Sequence, residues 1–375
     1  MKFRAERNTL ASAVSTVVKA IPAKPPIPVL AGALLQVADG RLSVSGFDYE
    51  VSTHVTADVA MAEPGATLVS GRLLAEITKA LPAKPVDVAA VGSHVEITCG
   101  SARFTLPTMP VEDYPTLPEM PAVAGTVDAA GFASAVAQVA IAAGRDDTLP
   151  MLTGVRVELE GENLTLLATD RYRMAMRTIP WSPADPGISA SALVSAGTIA
   201  DVAKTLAGAG CVEVSLTNAE RGAGMIGFSG GSQRTTSRLL DGEFPPVRRL
   251  LPDTYSAQAR ISAPALTEVV RRVGLVAERS TPVRLSLSAD GLIVEASGSE
   301  DARASEAMDC VYDGEPMTIA FNHQYLLDGL SAVGAPVAVF SFNDPKKPGV
   351  LWPTGGNCEP VLGSPYLMMP VRIGG

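Results

Sequence analysis

The sequence predicts an α+β fold of three similar domains, each built from two units of one helix plus antiparallel strands. Three observations carry that prediction. A hairpin pattern occurs once in each third of the chain. A strand, a capping residue and a helix follow it in each third. The length of 375 residues suits two or three domains rather than one.

Taken in order, Leu10, Val14, Val17, Val18 and Ile21 recur at helical spacing and predict a helix from about residue 7. Ala33 to Asp48 then alternates apolar and polar residues on both sides of an Asp-Gly turn, the pattern of a β-hairpin. Thr67 to Leu81 reads as a short strand, a capping Ser and a helix from about residue 71, with a further strand at His94 to Thr98. Proline and small residues cluster from Pro115 to Gly125 and mark a boundary. The series then repeats. Phe132 to Ala143 is an Ala-rich helix starting near residue 129, Val155 to Asp170 a hairpin, Ala192 to Leu206 a strand and helix from about 196, and Val212 to Leu216 a strand. A second boundary falls at Pro245 to Tyr255. Beyond it come a helix from about 263 carrying Leu266, Val269, Val270 and Val273, a hairpin at Val283 to Ser297, and a strand and helix at Met317 to Leu330. The domains are expected at 1–122, 123–252 and 253–375.

Composition narrows the function. Hydrophobic residues make up 47% and charged residues 18%, enough for packed cores and too apolar for a disordered chain. The longest small-apolar run, Phe132 to Gly144, is shorter than the roughly 20 residues a membrane helix needs. Arg4, Glu6 and Arg7 interrupt the place where a secretory signal would be apolar, so a cytoplasmic protein with no membrane partner is expected. Cys99, Cys211, Cys310 and Cys358 are far apart and form no C-x-x-C pair. His54, His94 and His323 have no spacing suited to a triad or zinc site, and no Walker A pattern is present. Gly222-Ala-Gly-Met-Ile-Gly227 matches a dinucleotide fingerprint, but a turn follows it where a helix is required. Asp146-Asp147 reads as a solvated loop. No metal, cofactor or catalytic residue is therefore expected. The rival class is a small-molecule enzyme on a repeated α+β scaffold, using one of those two segments.

Net charge is -9 and pI about 5.0, against a protein that holds nucleic acid by neutralising phosphates over its whole surface. The charge is unevenly placed, however. The six helical windows carry an excess of Lys and Arg, and the acidic excess lies in the rest of the chain.

Leu166-Leu-Ala-Thr-Asp-Arg-Tyr-Arg-Met-Ala175, Gly242-Glu-Phe-Pro-Pro-Val-Arg-Arg-Leu-Leu-Pro252 and Tyr366-Leu-Met-Met-Pro-Val-Arg-Ile373 carry a resemblance, with Pro28 to Gly32, Asp113 to Leu117 and Thr148 to Gly154 in support. In this order, on a triplicated chain, they resemble the bacterial DNA sliding clamps, the β subunit of the replicative DNA polymerase III holoenzyme, in an actinobacterial-like form. The resemblance covers essentially the whole chain. It implies a non-catalytic processivity factor: a head-to-tail homodimeric ring, helices inside and sheets outside, with double-stranded DNA through the hole. A paralogue distinct from the housekeeping copy would share these features. The implied partners are the clamp loader, the replicative polymerase and other proteins carrying short peptide motifs with Leu and Phe anchors.

The resemblance also implies site residues. DNA-facing positions are Lys24, Arg72, Lys79, Arg145, Lys204, Arg271, Arg272 and Arg279. Ala196-Gly197 stands where the family has a basic pair, so the middle third offers fewer charges. The partner-peptide pocket is implied at Leu152, Thr169, Arg171, Tyr172, Arg173, Met174, Pro245, Arg249, Leu250, Leu367, Met368, Met369, Pro370, Val371 and Arg372, with the arginines at its rim. Arg171-Tyr172 replaces the Gly-His or Ser-His of many relatives. The dimer interface is implied at Phe104 and Leu106 on one edge and Leu275 and Val276, at the end of the fifth helix, on the other.

Overall fold

The computed structural model describes residues 1–217, 224–277, 281–298, 302–355 and 359–372. Six α-helices lie among them: α1 (Arg7–Val17), α2 (Gly71–Ala80), α3 (Ala129–Ala140), α4 (Ala196–Leu206), α5 (Ala263–Val273) and α6 (His323–Val333). All start within one residue of the expected positions. Several stop earlier than the patterns suggest. α1 ends at Val17 and continues only as a 3-10 turn, Val18–Ala20, so Lys24 lies in the following loop. α3 ends at Ala140 and α5 at Val273, leaving Arg145, Leu275 and Val276 beyond their helices. Ser262 and Asn322 cap α5 and α6, with Asn322 Oδ1 accepting from Gln324 N at 2.9 Å and Tyr325 N at 3.2 Å. Ser70 makes no such side-chain bond at α2.

The chain divides into two compact units, and the division passes through the central third. The first comprises Met1–Ala130, Trp181–Pro186 and Asp201–Leu239; the second holds the remainder. The first unit contains a 14-stranded antiparallel sheet. Its expected hairpin is Gly32–Ala38 paired with Arg41–Phe47. α1 buries Leu10, Val14 and Val17 against this sheet, and α2 buries Leu74 and Ile77. The approach is close enough that a Cβ at Gly46 would meet Val17 Cγ1 at 2.8 Å, which requires glycine there.

The second unit holds a nine-stranded and a four-stranded antiparallel sheet. The remaining expected hairpins are here, Gly154–Glu160 with Asn163–Thr169 and Val283–Ser288 with Gly291–Ser297. A buried cluster of Leu167, Met174, Phe244, Val247, Val339, Val350, Trp352 and Leu367 joins residues from the central and last thirds. Val247 belongs to what the sequence reads as a Pro-rich boundary, and Phe244 immediately precedes it. That segment is instead a packed wall with a 3-10 turn at Val247–Leu250.

Of the dinucleotide-like segment, Gly222 and Ala223 lie outside the described residues; Gly224 leads into strand Met225–Gly230, followed by strand Gln233–Arg238. Asp146 Oδ1 accepts from Thr148 N and Oγ1 at 3.0 and 2.6 Å, an exposed turn. Among the described residues no group of three or more His, Cys, Asp or Glu is placed to hold a metal ion, and no helix is long and apolar enough to cross a membrane.

Candidate functional site

The most elaborate local structure in the second unit is the turn joining strand Asn163–Thr169 to strand Arg173–Pro180. Thr169 Oγ1 donates to Arg173 O at 2.7 Å and accepts from Arg171 N at 3.2 Å. Asp170 Oδ1 accepts from Tyr172 N and Arg173 N, both at 3.0 Å. These bonds hold Arg171 at φ 80°, a left-handed conformation that a non-glycine residue adopts only when its surroundings fix it. The side chains of Arg171 and Tyr172 consequently stand out into solvent.

Arg173 points the other way. Its guanidinium is 6% exposed, donates to Asp170 Oδ2 at 2.9 Å and to Tyr366 OH at 3.2 Å, bonds Asp328, and lies 4.4 Å from the centre of the Tyr325 ring. Burial alone would disfavour its charge, but Tyr366, Asp328 and Asp170 outweigh that and hold its pKa above the ordinary arginine value. Arg173 is thus a brace between the turn, α6 and the tail, and its buried guanidinium does not stand at a rim. Arg177 is also buried, with Nε on Gln138 Oε1 at 2.6 Å and its other donors on carbonyls of Met176, Ser364 and Ala332. With no carboxylate among these partners, burial lowers its pKa to about 10, and it stays charged at neutral pH.

The tail is the next wall. Strand Tyr366–Met368 pairs with Arg173–Pro180 on one side and Gly349–Pro353 on the other. Tyr366, Leu367 and Met368 are therefore buried, as are Leu152, Thr169 and Met174. All of these but Tyr366 were expected to line a pocket; they form its foundation. Tyr366 packs so tightly on α6 that a Cβ at Gly329 would meet its Cε1 at 2.6 Å. Accessible surface comes from Tyr172, Arg249, Leu250 and Arg372, with Pro245, Met369, Pro370 and Val371 partly covered. Met369 N donates to Tyr172 O at 2.8 Å, tying tail to turn. Beyond it a groove of about 580 Å³ runs between Pro345–Lys346 and Met369–Arg372.

Sequence reasoning missed Tyr325, Asp328, Pro345 and Lys346. Tyr325 stacks on Tyr172 with ring centres 6.5 Å apart. Tyr325 and Asp328 lie three residues apart in α6, one turn on a shared face, and that spacing was the available signal.

The basic helix residues behave differently. Lys24, Arg72, Lys79, Arg145 and Lys204 are exposed. Between α1 and α2 a cleft of about 550 Å³ includes Arg7, Ser12, Ser15 and Lys79. Arg271 and Arg272 are exposed but ion-paired, to Glu268 at 2.8 Å and Glu306 at 2.6 Å. Arg279 lies outside the described residues. At the expected subunit edges, residues 102–107 of strand Ala102–Met109 pair, among the described residues, on one side only, with His94–Cys99. Phe104 is 36% exposed there, but Leu106 is 1% exposed and belongs to the core, because its side chain faces the helices. Leu275 is 85% exposed and Val276 half-buried. Strand Arg303–Met308 ends the four-stranded sheet with a free edge among the described residues, a feature the sequence reading did not identify.

Known proteins share this arrangement. Residues 1–118, 126–246 and 248–363 match, in order, the N-terminal, central and C-terminal domains of the DNA polymerase III beta subunit. The chain is 51% identical over 376 residues to the Beta sliding clamp of Streptomyces coelicolor, covering 100% of each. It is 38% identical over 374 residues to the Beta sliding clamp homolog GriR of Streptomyces muensis, again covering 100% of each. Among solved structures, the sliding clamp of Pseudomonas aeruginosa bound to griselimycin matches at 27% identity with a TM-score of 0.90, covering 100% of both chains.

Proposed function

The chain belongs to the DNA polymerase III beta subunit family, the bacterial sliding clamps, and from that premise we propose how its surfaces divide the work. A sliding clamp confers processivity on the replicative polymerase, and the tandem order of three domain matches along one chain is the observation that carries this function. Two copies join head to tail into a ring around double-stranded DNA, with domains at 1–122, 123–252 and 253–375. The protein acts in the cytoplasm and performs no catalysis of its own.

Lys24, Arg72, Lys79 and Lys204 face the DNA. They are exposed and held by no ion pair among the described residues, so they supply a positive lining that a sliding duplex can exchange freely. Arg271 and Arg272 contribute less, because Glu268 and Glu306 already compensate them. Arg145 adds a single charge in the middle third. Ring closure joins the free edge around Phe104 to a partner edge formed by Leu275, Val276 and strand Arg303–Met308. The clamp loader, the polymerase and other motif-bearing proteins dock through Leu and Phe anchors over Tyr172, Pro245, Leu250 and Met369. Because a ring holds DNA by topology, its acidic exterior is no obstacle.

The test is retention on DNA after loading. A closed ring stays on circular DNA and slides off the same DNA once it is linearised. Equal loss from both forms would overturn the proposal.

A further inference from the structure

Arg271 and Arg272 are neighbours on α5, but their ion pairs do different things. Arg271 meets Glu268 one turn back, so that pair stays within the helix. Arg272 reaches out of the helix and grips Glu306 with both branches of its fork, Nε to Oε2 at 3.0 Å and Nη2 to Oε1 at 2.6 Å. Glu306 belongs to strand Arg303–Met308, whose far side is a free edge among the described residues.

The pleat of the sheet shows why that grip matters. Ala304, Glu306 and Met308 stand opposite Ala296, Val294 and Leu292, which are buried, so the three share the inward face of the strand. A carboxylate thus occupies the middle of a face that would ordinarily be apolar. Ala304 is short and Met308 is adaptable, so the forked pair is the directional link between strand and helix. The strand's other hold is its backbone ladder to Gly291–Ser297, on one side only. An inward-pointing charge also discourages indiscriminate pairing at an edge. At the other end of the same surface, Val276 O passes so close to Gly298 that a Cβ there would overlap it. The end of α5, with Leu275 and Val276, and the edge strand are therefore assembled as one piece.

We propose that Arg272 is a positioning residue for ring closure: through Glu306 it holds strand Arg303–Met308 in the place where a second copy meets it. The proposal rests on the ring-closure reading above. It adds that a cation of the lining helix acts within its own protomer to shape the subunit edge.

The experiment measures dimer dissociation of the full chain by sedimentation over a dilution series. Arg272→Ala and Glu306→Ala are each expected to weaken the dimer about tenfold, and the double variant no more than either alone, because the two residues act as one unit. The reversed pair Arg272→Glu/Glu306→Arg is expected to recover most of the loss. Hydrogen exchange at residues 303–308 should quicken in the single variants and return toward wild type in the reversed pair. Urea midpoints of the dissociated protomers should hold, since the two side chains are 55% and 34% exposed there. Wild-type dimer affinity in both single variants overturns the proposal and leaves ring closure standing. So do additive losses, or a reversed pair as weak as the single variants, since Arg272 and Glu306 would then act apart. A matching fall in protomer stability makes the pair a general prop of the fold and overturns the positioning role. A wild type that stays monomeric at every concentration overturns the ring-closure reading, and this proposal with it.

Discussion

Arg173 and Arg72 are the same residue in opposite circumstances. Arg173, in the second unit, is buried against two carboxylates, a phenol and an aromatic face. Arg72, on α2 in the first unit, is exposed. The first arginine fixes geometry; the second offers charge. Substitution should therefore damage the fold in one case and the electrostatics in the other.

The largest effect is expected at Arg173. Changing it to Ala strands Asp170 and Asp328, which are 13% and 16% exposed, without a counter-charge. A loss of about 3–5 kcal/mol in folding stability is expected, read by urea unfolding, because breaking one side of a buried ion pair leaves the other uncompensated. Met174→Lys belongs with it, since Met174 is 1% exposed in the dry cluster. Its loss of partner binding should come with lost stability, a link that binding data alone would not reveal. Intact stability in either variant would show that these side chains line the surface after all.

Ring closure tests exposed apolar residues on both units. Phe104→Asp with Leu275→Asp buries charges if both sit in the interface. Dimer affinity should fall at least a hundredfold, roughly 3 kcal/mol, in sedimentation. Each protomer should stay folded, because neither residue belongs to the core. An unchanged dimer mass would place the interface elsewhere.

Much of this was legible in the sequence, and the failures have a common cause. Period and turn chemistry located six helix starts and three hairpins, because burial imposes those patterns locally. Leu106 was misread because it shares a strand face with Phe104, two residues away, yet is enclosed in the first unit's core cluster, and no local pattern separates the two. Arg173 was misread because its partners Asp328 and Tyr366 are 155 and 193 residues away, and no local pattern encodes such a contact. The Pro-rich segment near Val247 looked like a linker because its apolar partners, Val339 and Val350, also come from distant strands.

The surface half of the comparison is sharpened by Lys24→Glu/Arg72→Glu/Lys79→Glu. Stability and dimer mass should hold. Loader-dependent loading onto circular DNA should weaken about tenfold or more, with a reduced salt dependence, because each charge that faces phosphate contributes to counterion release. Unaltered loading would mean these residues do not face DNA.

The smallest expected effect extends the comparison to a cation that the fold suppresses. His54 is half-buried in the first unit. Ser45 Oγ lies 2.8 Å from its Nδ1, and Arg234 is its cross-strand partner. Burial first, and the Arg234 charge second, lower its pKa from 6.5 to about 4. Where Arg173 meets carboxylates and stays charged, His54 meets a guanidinium and stays neutral. The unfolded chain takes up a proton near pH 6.5 and the folded chain does not until about pH 4, so between these values the unfolded state binds more protons. The stability linked to neutral His54 is therefore complete above pH 6.5 and declines as pH falls toward 4. Discounted for partial solvent screening, the decline amounts to about 1 kcal/mol. His54→Gln keeps a polar side chain of similar size and removes the titration, so its unfolding free energy should fall less than the wild type's over that interval. Parallel slopes in urea titrations would show that His54 is protonated as easily in the folded chain as in the unfolded one, and that the Arg234 side of the sheet exerts no such pressure.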